Sequence, residues 1–113
     1  MTVYEVKLAD QVDDDTRAIY EYIAFDLNAP EAAAAQYYRI EDKISELDKK
    51  AQHYSLYDKE PWRSRGLRNM AVDNFQVLYF ADKKSKVVTV IGVLYHGRDI
   101  DKYLEDYSYE EAE

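Results

Sequence analysis

The sequence contains no cysteine and only two histidines, His53 and His96. The absence of cysteine excludes disulfide bonds, thiolate nucleophiles and cysteine-based zinc sites, and it is compatible with a reducing cytosol. Two imidazoles are too few for a histidine-rich metal site. We therefore expect a protein that holds no metal ion and needs no cofactor.

Long apolar runs are also missing. No stretch approaches the roughly 20 residues that cross a bilayer, and the segment MTVYEVKLAD lacks the basic and then apolar pattern of a secretion signal. The 113 residues suit one domain, and 47% of them are hydrophobic, which predicts a globular fold. The sequence therefore predicts a cytoplasmic protein that does not contact the membrane.

Positive charge is scarce overall and unevenly distributed. The net charge is −8, which argues against a general nucleic-acid coat. Residues 59–102, however, carry nine lysines or arginines against five acids, while residues 1–58 carry six against thirteen and residues 103–113 carry none against five. A basic middle therefore lies between two acidic ends.

Hydrophobic periodicity indicates strands and helices in the order β-α-α-β-β-β-α. Alternation over residues 3–8 predicts a first strand. Apolar residues at helical spacing then indicate two helices, which a break at Asn28-Ala29-Pro30 should fold into an antiparallel hairpin. The acidic run Asp13-Asp14-Asp15 is expected at the N-terminus of the first helix and lacks the spacing of a calcium loop.

The second half of the chain reads as a loop followed by a sheet. Residues 52–64 have no clean period and predict the loop. Three strand patterns and a short terminal helix follow, and the last strand is apolar enough to be central. The predicted strands are 67–72, 75–81 and 87–95, and the helix begins near Ile100.

The stretch VLYHGRDIDKYL, residues 93–104, has two interpretations. In the first, it is a strand–turn–helix junction in which Gly97 permits a tight turn and Asp99 caps the last helix. In the second, Tyr95, His96 and Arg98 project from the end of the sheet as a site. Arg98 would then pair with a carboxylate or phosphate, and His96 would serve as an acid or base.

The stretch WRSRGLRNM, residues 62–70, contains three arginines and no acid. Arginine binds phosphates through its planar fork, and Trp62 could stack on a nucleic-acid base. The alternative is a solvated edge strand that charge keeps soluble. The candidate binding residues here are Arg63, Arg65 and Arg68.

The element order, together with GLRNMAVDNFQVLYFADKKSKVVTVIGVLYHGRDI over residues 66–100, resembles the toxins of the RelE/ParE superfamily. These are the toxins of bacterial type II toxin–antitoxin modules, often described as plasmid stabilisation proteins. The resemblance implies an α+β fold with a helical hairpin packed on one face of a twisted, mainly antiparallel sheet. The toxin domain would cover residues 1–107, followed by an acidic tail at 108–113 that we expect to be frayed.

The resemblance implies two alternative activities on one fold. RelE-like toxins enter the ribosome and cut mRNA without a metal, whereas ParE-like toxins poison DNA gyrase. Both are neutralised by a cognate antitoxin whose extended segment wraps the toxin. The partners implied are therefore this antitoxin and either gyrase or the ribosome with mRNA, with operator DNA reached only through the antitoxin. An antitoxin is expected over the basic middle.

The sequence departs from the ribonuclease pattern at the catalytic strand. Gln76 in FQVLY stands where the ribonucleases place an arginine, and glutamine cannot neutralise a phosphate. The HGRD ending is similar to ParE-like members, so a gyrase-directed toxin is favoured over an endoribonuclease or a degenerate binding module. An endoribonuclease would use His96, Arg98 and Arg68. Antitoxin or target contacts are expected at Arg63, Arg65, Arg68, Gln76, Tyr95, His96 and Arg98.

Overall fold

The computed structural model describes residues 3–96 and 98–112, and for residues 108–112 it describes the backbone alone. The chain forms an α+β fold whose element order confirms the predicted β-α-α-β-β-β-α, with one short helix added after the second. The strands are β1 (Glu5–Leu8), β2 (Leu67–Val72), β3 (Phe75–Asp82) and β4 (Val87–Tyr95). The helices are α1 (Asp10–Glu21), which continues into a π-helical turn (Tyr22–Asp26), α2 (Pro30–Ser45), α3 (Leu47–Lys50) and α4 (Ile100–Ala112).

Two predictions fall wholly or partly outside the described residues. Gly97, expected to allow a tight turn, is one of them. The acidic tail is the other: the backbone of residues 108–112 continues α4, but their side chains and Glu113 are not described. The frayed state of that tail therefore remains a prediction.

The sheet has the strand order β1-β4-β3-β2, with β1 parallel to β4 and the other pairs antiparallel. The apolar strand β4 is internal, as its composition predicts. β1 is short, however, and its pairing with β4 ends where Leu8 meets Val90. From Ile91 onward, the same side of β4 has no neighbour among the described strands.

A first core lies between the sheet and the helical hairpin of α1 and α2. The chain reverses at Asn28, which has a φ of 52°, and Pro30 starts α2 without needing a hydrogen bond for its nitrogen. Helices α1 and α2 each present an apolar stripe, and the hairpin buries both stripes against one face of the sheet. The buried residues of this core include Val12, Ile40, Ile44, Met70, Val77, Tyr79, Val88, Val90 and Val93.

A second core covers the opposite face of the sheet. It consists of Tyr57, Trp62, Leu67, Leu78, Ile91, Leu94 and Leu104, and the loop before β2 and helix α4 supply its outer layer. Trp62 is only 8% exposed, and the Arg65 guanidinium lies 5.1 Å from the centre of its ring. Trp62 is therefore a core residue, which corrects the interpretation that it stacks on a nucleic-acid base.

The acidic run begins in the first turn of α1, as predicted, but does not end there. The helix starts at Asp10, so Asp13 lies in its first turn and Asp14 and Asp15 follow it. Asp13 and Asp14 form ion pairs with Arg17, at 3.0 and 4.0 Å, whereas Asp15 is buried. None of the helices in the described part of the chain combines the length and the apolar character that a membrane crossing requires.

Candidate functional site

The residues predicted for the site lie at different places on the sheet and its loops. Tyr95 and His96 are neighbours in sequence, but strand alternation sends their side chains to opposite faces. Tyr95 faces the first core, where its ring packs edge-on against Phe75 at 5.7 Å. His96 follows Leu94 toward the second-core face. Tyr95 and His96 therefore do not belong to one cluster.

Gln76 and His96 are brought together at the end of the second-core face. Gln76 lies in β3 opposite Leu94 of β4. Its Nε2 atom is 3.0 Å from His96 Nδ1. The His96 backbone N–H donates to the carbonyl of Asn74 at 2.6 Å, which anchors the residue just beyond the strand. The result is a polar pair whose imidazole is exposed.

Tyr95 and Arg98 line a groove on the other face, between α1 with its π-helical turn and the ends of β3 and β4. This hairpin–sheet groove has a volume of about 570 Å³, within the range of ligand pockets. Its lining is mostly apolar: Ala18, Ile19, Tyr22, Ile23, Leu27, Phe75, Val93 and Tyr95, with Asp15, Gln36, Asn74 and Arg98. Tyr22, Leu27 and Tyr95 are more than half exposed.

Among the described residues that line the groove, Arg98 is the only cation. Its guanidinium lies 6.0 Å from the ring centre of Tyr103, and it forms no ion pair with the described residues. The groove therefore combines exposed apolar surface with a positive charge that the described residues leave unneutralised.

Asp15 is a residue that the sequence interpretation missed. Its Oδ2 atom accepts the buried Val93 N–H at 3.1 Å. The Tyr103 hydroxyl lies 3.3 Å from the same oxygen and donates to the Ile91 carbonyl at 2.7 Å. These contacts occupy the edge of β4 that β1 leaves open. The spacing of Val12, Asp15 and Ile19 on one helical face was the signal available in the sequence.

The three arginines of the WRSRGLRNM segment have different surroundings. Arg68 is half-buried on β2, and its Nη1 donates to the Tyr54 carbonyl at 2.6 Å, which ties the strand to the preceding loop. It is paired across the sheet with Tyr79 of the first core. Arg63 and Arg65 are exposed on the loop and form no ion pair with the described residues. The structure therefore does not bring Arg68, His96 and Arg98 together.

Two carboxylates near these surfaces hold elements in place. Asp101 of α4 forms an ion pair with Lys59 and accepts the Tyr57 hydroxyl at 2.6 Å, and these two hydrogen bonds lower the pKa of Asp101. Both groups lie on the loop before β2, so they fasten that loop to α4.

Asp73, in the β2–β3 turn, accepts Arg39 Nε at 2.7 Å and Gln36 Nε2 at 3.0 Å, and these bonds lower its pKa. They fasten α2 to the turn beside the groove. Within the described residues, no group of three or more His, Asp or Glu side chains is placed to hold a metal ion.

Comparisons with known proteins agree with the resemblance seen in the sequence. Residues 6–100 match the family model described as the ParE toxin of the type II toxin–antitoxin system, parDE. No curated protein matches the sequence. Among solved structures, the chromosomal ParDE toxin–antitoxin system from P. aeruginosa is similar at a TM-score of 0.67, with 19% identity over 82% of this chain and 96% of that chain.

Two RelE–RelB complexes have a similar fold. The toxin–antitoxin complex RelBE2 from Mycobacterium tuberculosis gives a TM-score of 0.58, with 16% identity over 83% of this chain and 99% of that one. The archaeal RelE–RelB complex from Pyrococcus horikoshii gives the same TM-score and identity over 87% of this chain and 100% of that one. At these identities, the structural likeness supports the fold alone.

Proposed function

The chain belongs to the family of ParE toxins of type II toxin–antitoxin systems, whose model matches residues 6–100, and from this premise we propose that it arrests bacterial growth by acting on DNA gyrase and is neutralised by a cognate antitoxin. One observation carries the choice of target. At the position where RelE-like ribonucleases place an arginine, this chain has Gln76, which contacts His96 at 3.0 Å.

A glutamine at that position carries no charge and cannot do the work of a cation. Metal-free RNA cleavage develops negative charge on the phosphate, and loss of one preorganised donor typically costs about 2.7–4 kcal/mol, roughly 10²–10³ in rate. Arg68 is bonded to a loop carbonyl, and Arg98 lines the groove on the opposite face. Neither arginine compensates from these positions.

The target can be tested by inducing the chain in cells without its antitoxin. We expect growth to slow while primer extension on an abundant mRNA shows no new transcript ends, and we expect the purified chain to inhibit supercoiling by gyrase. New transcript ends that disappear in His96→Ala would establish the endoribonuclease instead. If induction leaves growth unchanged, the chain is a binding module without toxicity.

We assign the antitoxin to the hairpin–sheet groove. The structural neighbours are described as toxin–antitoxin systems or complexes, which supports such a partner here. The groove offers contiguous apolar surface of the kind that marks protein interaction sites, and Arg98 suits a carboxylate on the incoming segment. An apolar antitoxin segment that carries an acidic residue fits both features.

The antitoxin contacts predicted from the sequence, across residues 59–102, include arginines of the exposed loop as well as Tyr95 and Arg98 of the groove, and matched substitutions separate the loop from the groove. Leu27 lines the groove, whereas nearby Phe25 is 74% exposed on the outer face of the hairpin. We expect Leu27→Asp and Arg98→Glu each to weaken antitoxin binding at least about tenfold, as loss of a well-packed contact does, with Phe25→Asp and Arg63→Glu near wild type. Calorimetric titration measures this, and the reverse pattern would place the antitoxin on the loop.

A further inference from the structure

The contact between Gln76 and His96 favours one of the two tautomers of the neutral imidazole. An amide nitrogen can only donate a hydrogen bond. Because Gln76 Nε2 lies 3.0 Å from His96 Nδ1, the imidazole nitrogen Nδ1 is the acceptor. A neutral imidazole that accepts at Nδ1 has its proton on Nε2. With Gln76 Nε2 as the donor, the contact favours the Nε2–H tautomer over the Nδ1–H tautomer.

The pair is held firmly but remains open to a partner. Gln76 sits in an interior strand, between Ala71 of β2 and Leu94 of β4 in register. The His96 backbone is fixed by its 2.6 Å bond to Asn74. The side chain across from Gln76 on β2 is only the methyl group of Ala71. The His96 side chain is exposed, and its Nε2 atom has no hydrogen-bond partner among the described residues.

We infer that His96 binds the target of growth inhibition by donating its Nε2–H to an oxygen acceptor of a protein, and that Gln76 is the positioning residue that holds this tautomer. The inference rests on the proposed function and specifies how the toxin contacts its target. A protein acceptor, such as a backbone carbonyl, fits because an uncharged donor does not neutralise a phosphate. In this role, His96 is neither a general base nor a cation.

The tautomer can be measured without any target. Heteronuclear NMR of the imidazole nitrogens distinguishes the two tautomers, and His53→Gln leaves His96 as the one imidazole in the sequence. In the neutral imidazole, we expect the Nε2–H tautomer with Gln76 present. Gln76→Glu has the same shape but only acceptor atoms, so it should favour Nδ1–H. An Nδ1–H signal with Gln76 present would overturn the inference.

The contact with the target is tested through growth arrest, which does not depend on knowing the target. We expect Gln76→Glu and His96→Leu to raise the induction level needed for arrest on the order of tenfold, as loss of one hydrogen bond at an interface does. His96→Gln keeps an N–H at similar reach and should retain part of the activity. His53→Leu, at the other histidine, should arrest growth like wild type.

The growth and supercoiling measurements distinguish a failure of the His96 contact from a failure of gyrase as the target. Arrest without gyrase inhibition refutes gyrase as the target and leaves the His96 comparison valid. If Gln76→Glu and His96→Leu arrest growth as wild type does, the His96 contact is refuted. A wild-type chain that does not arrest growth overturns both proposals. Unfolding midpoints equal to wild type are required of each variant, and Gln76→Leu replaces Gln76→Glu if the carboxylate lowers the midpoint.

Discussion

The carboxylate of Asp15 closes the edge of β4 at the point where β1 has ended. It accepts the buried N–H of Val93 and lies within 3.3 Å of the Tyr103 hydroxyl, so it joins α1 to β4 and α4. A buried backbone N–H left without an acceptor costs about 1–3 kcal/mol. The position therefore contributes to stability far more than its place in an acidic run suggests.

We expect Asp15→Ala to lower the free energy of unfolding by about 1–3 kcal/mol, because Val93 N–H loses its acceptor. Urea denaturation followed by circular dichroism measures this. Asp14→Ala is the matched control, since Asp14 is exposed and its one ion pair, with Arg17, is long at 4.0 Å. A surface pair of this kind changes stability by less than about 1 kcal/mol. Equal effects of the two substitutions would contradict the role assigned to Asp15.

Gly92 is required by the approach of Tyr103. A Cβ atom at this position would lie 2.5 Å from the Tyr103 hydroxyl oxygen and 2.8 Å from two ring carbons. That hydroxyl reaches the Ile91 carbonyl over the glycine, so it cannot move away without breaking its hydrogen bond.

We expect Gly92→Ala to destabilise the chain by about 1–3 kcal/mol, as overpacking of a tight core does. In a Tyr103→Phe background, the nearest clashing atom is gone, and the same substitution should cost less. A double-mutant cycle from denaturation curves gives this coupling. Simple additivity of the two substitutions would argue against the contact.

At the scale of elements, α4 is fastened to the loop before β2 by Asp101. The pKa of Asp101 in the folded state is lowered, mainly by the hydrogen bond from Lys59 and to a smaller extent by the one from Tyr57. A carboxylate with a lowered folded pKa stabilises the fold above its unfolded pKa of about 3.9, and this contribution is lost as the pH falls through the folded pKa.

Asp101→Asn should therefore be less stable than wild type at neutral pH, and the difference should shrink as the pH falls below about 4. Unfolding midpoints across a pH series measure this. Asp106→Asn provides the control on the same helix, because Asp106, unlike Asp101, forms no ion pair with the described residues. A gap for Asp101→Asn that stays constant down to low pH would rule out the ion pair as its cause.

The sequence predicted elements well where periodicity acts alone. The predicted bounds of β2 and β4 are confirmed, and β3 extends one residue further, because alternation of apolar residues depends only on which side is buried. The buried role of Asp15 was missed because the three aspartates of the acidic run have the same local preferences. Asp15 differs from its neighbours because it accepts the N–H of Val93 on the open edge of β4, and these two residues are 78 positions apart in the sequence.

The site was less predictable than the fold. Strand alternation already predicts that Tyr95 and His96 point to opposite faces of the sheet. What each side chain then contacts depends on the elements that cover the two faces. The second core supplies that cover through Trp62 and Leu104. Arg68 was a candidate binding residue. In the structure it is half-buried, and its guanidinium donates to a loop carbonyl.

At the scale of the whole molecule, the two cores share one sheet and should unfold together. Trp62 is the only tryptophan in the sequence and reports on the second core, while helical circular dichroism is dominated by the hairpin over the first. We expect Ile40→Val, in the first core, to cost about 0.5–1.5 kcal/mol and to shift both signals equally. A shift confined to circular dichroism would show two separately unfolding units.

The pairing of β1 with β4 sets the order in which the molecule can be completed during translation. Glu5 meets Val87, and Leu8 meets Val90, so β1 leaves the ribosome long before its partner strand has been made. Closing so long a loop is entropically costly, and non-local strand pairing forms slowly. Since Val93 and Tyr95 also line the groove, a nascent chain cannot present that groove until β4 has emerged. A ribosome that stalls before β4 therefore releases no assembled toxin, and it also offers the proposed antitoxin no finished groove to bind.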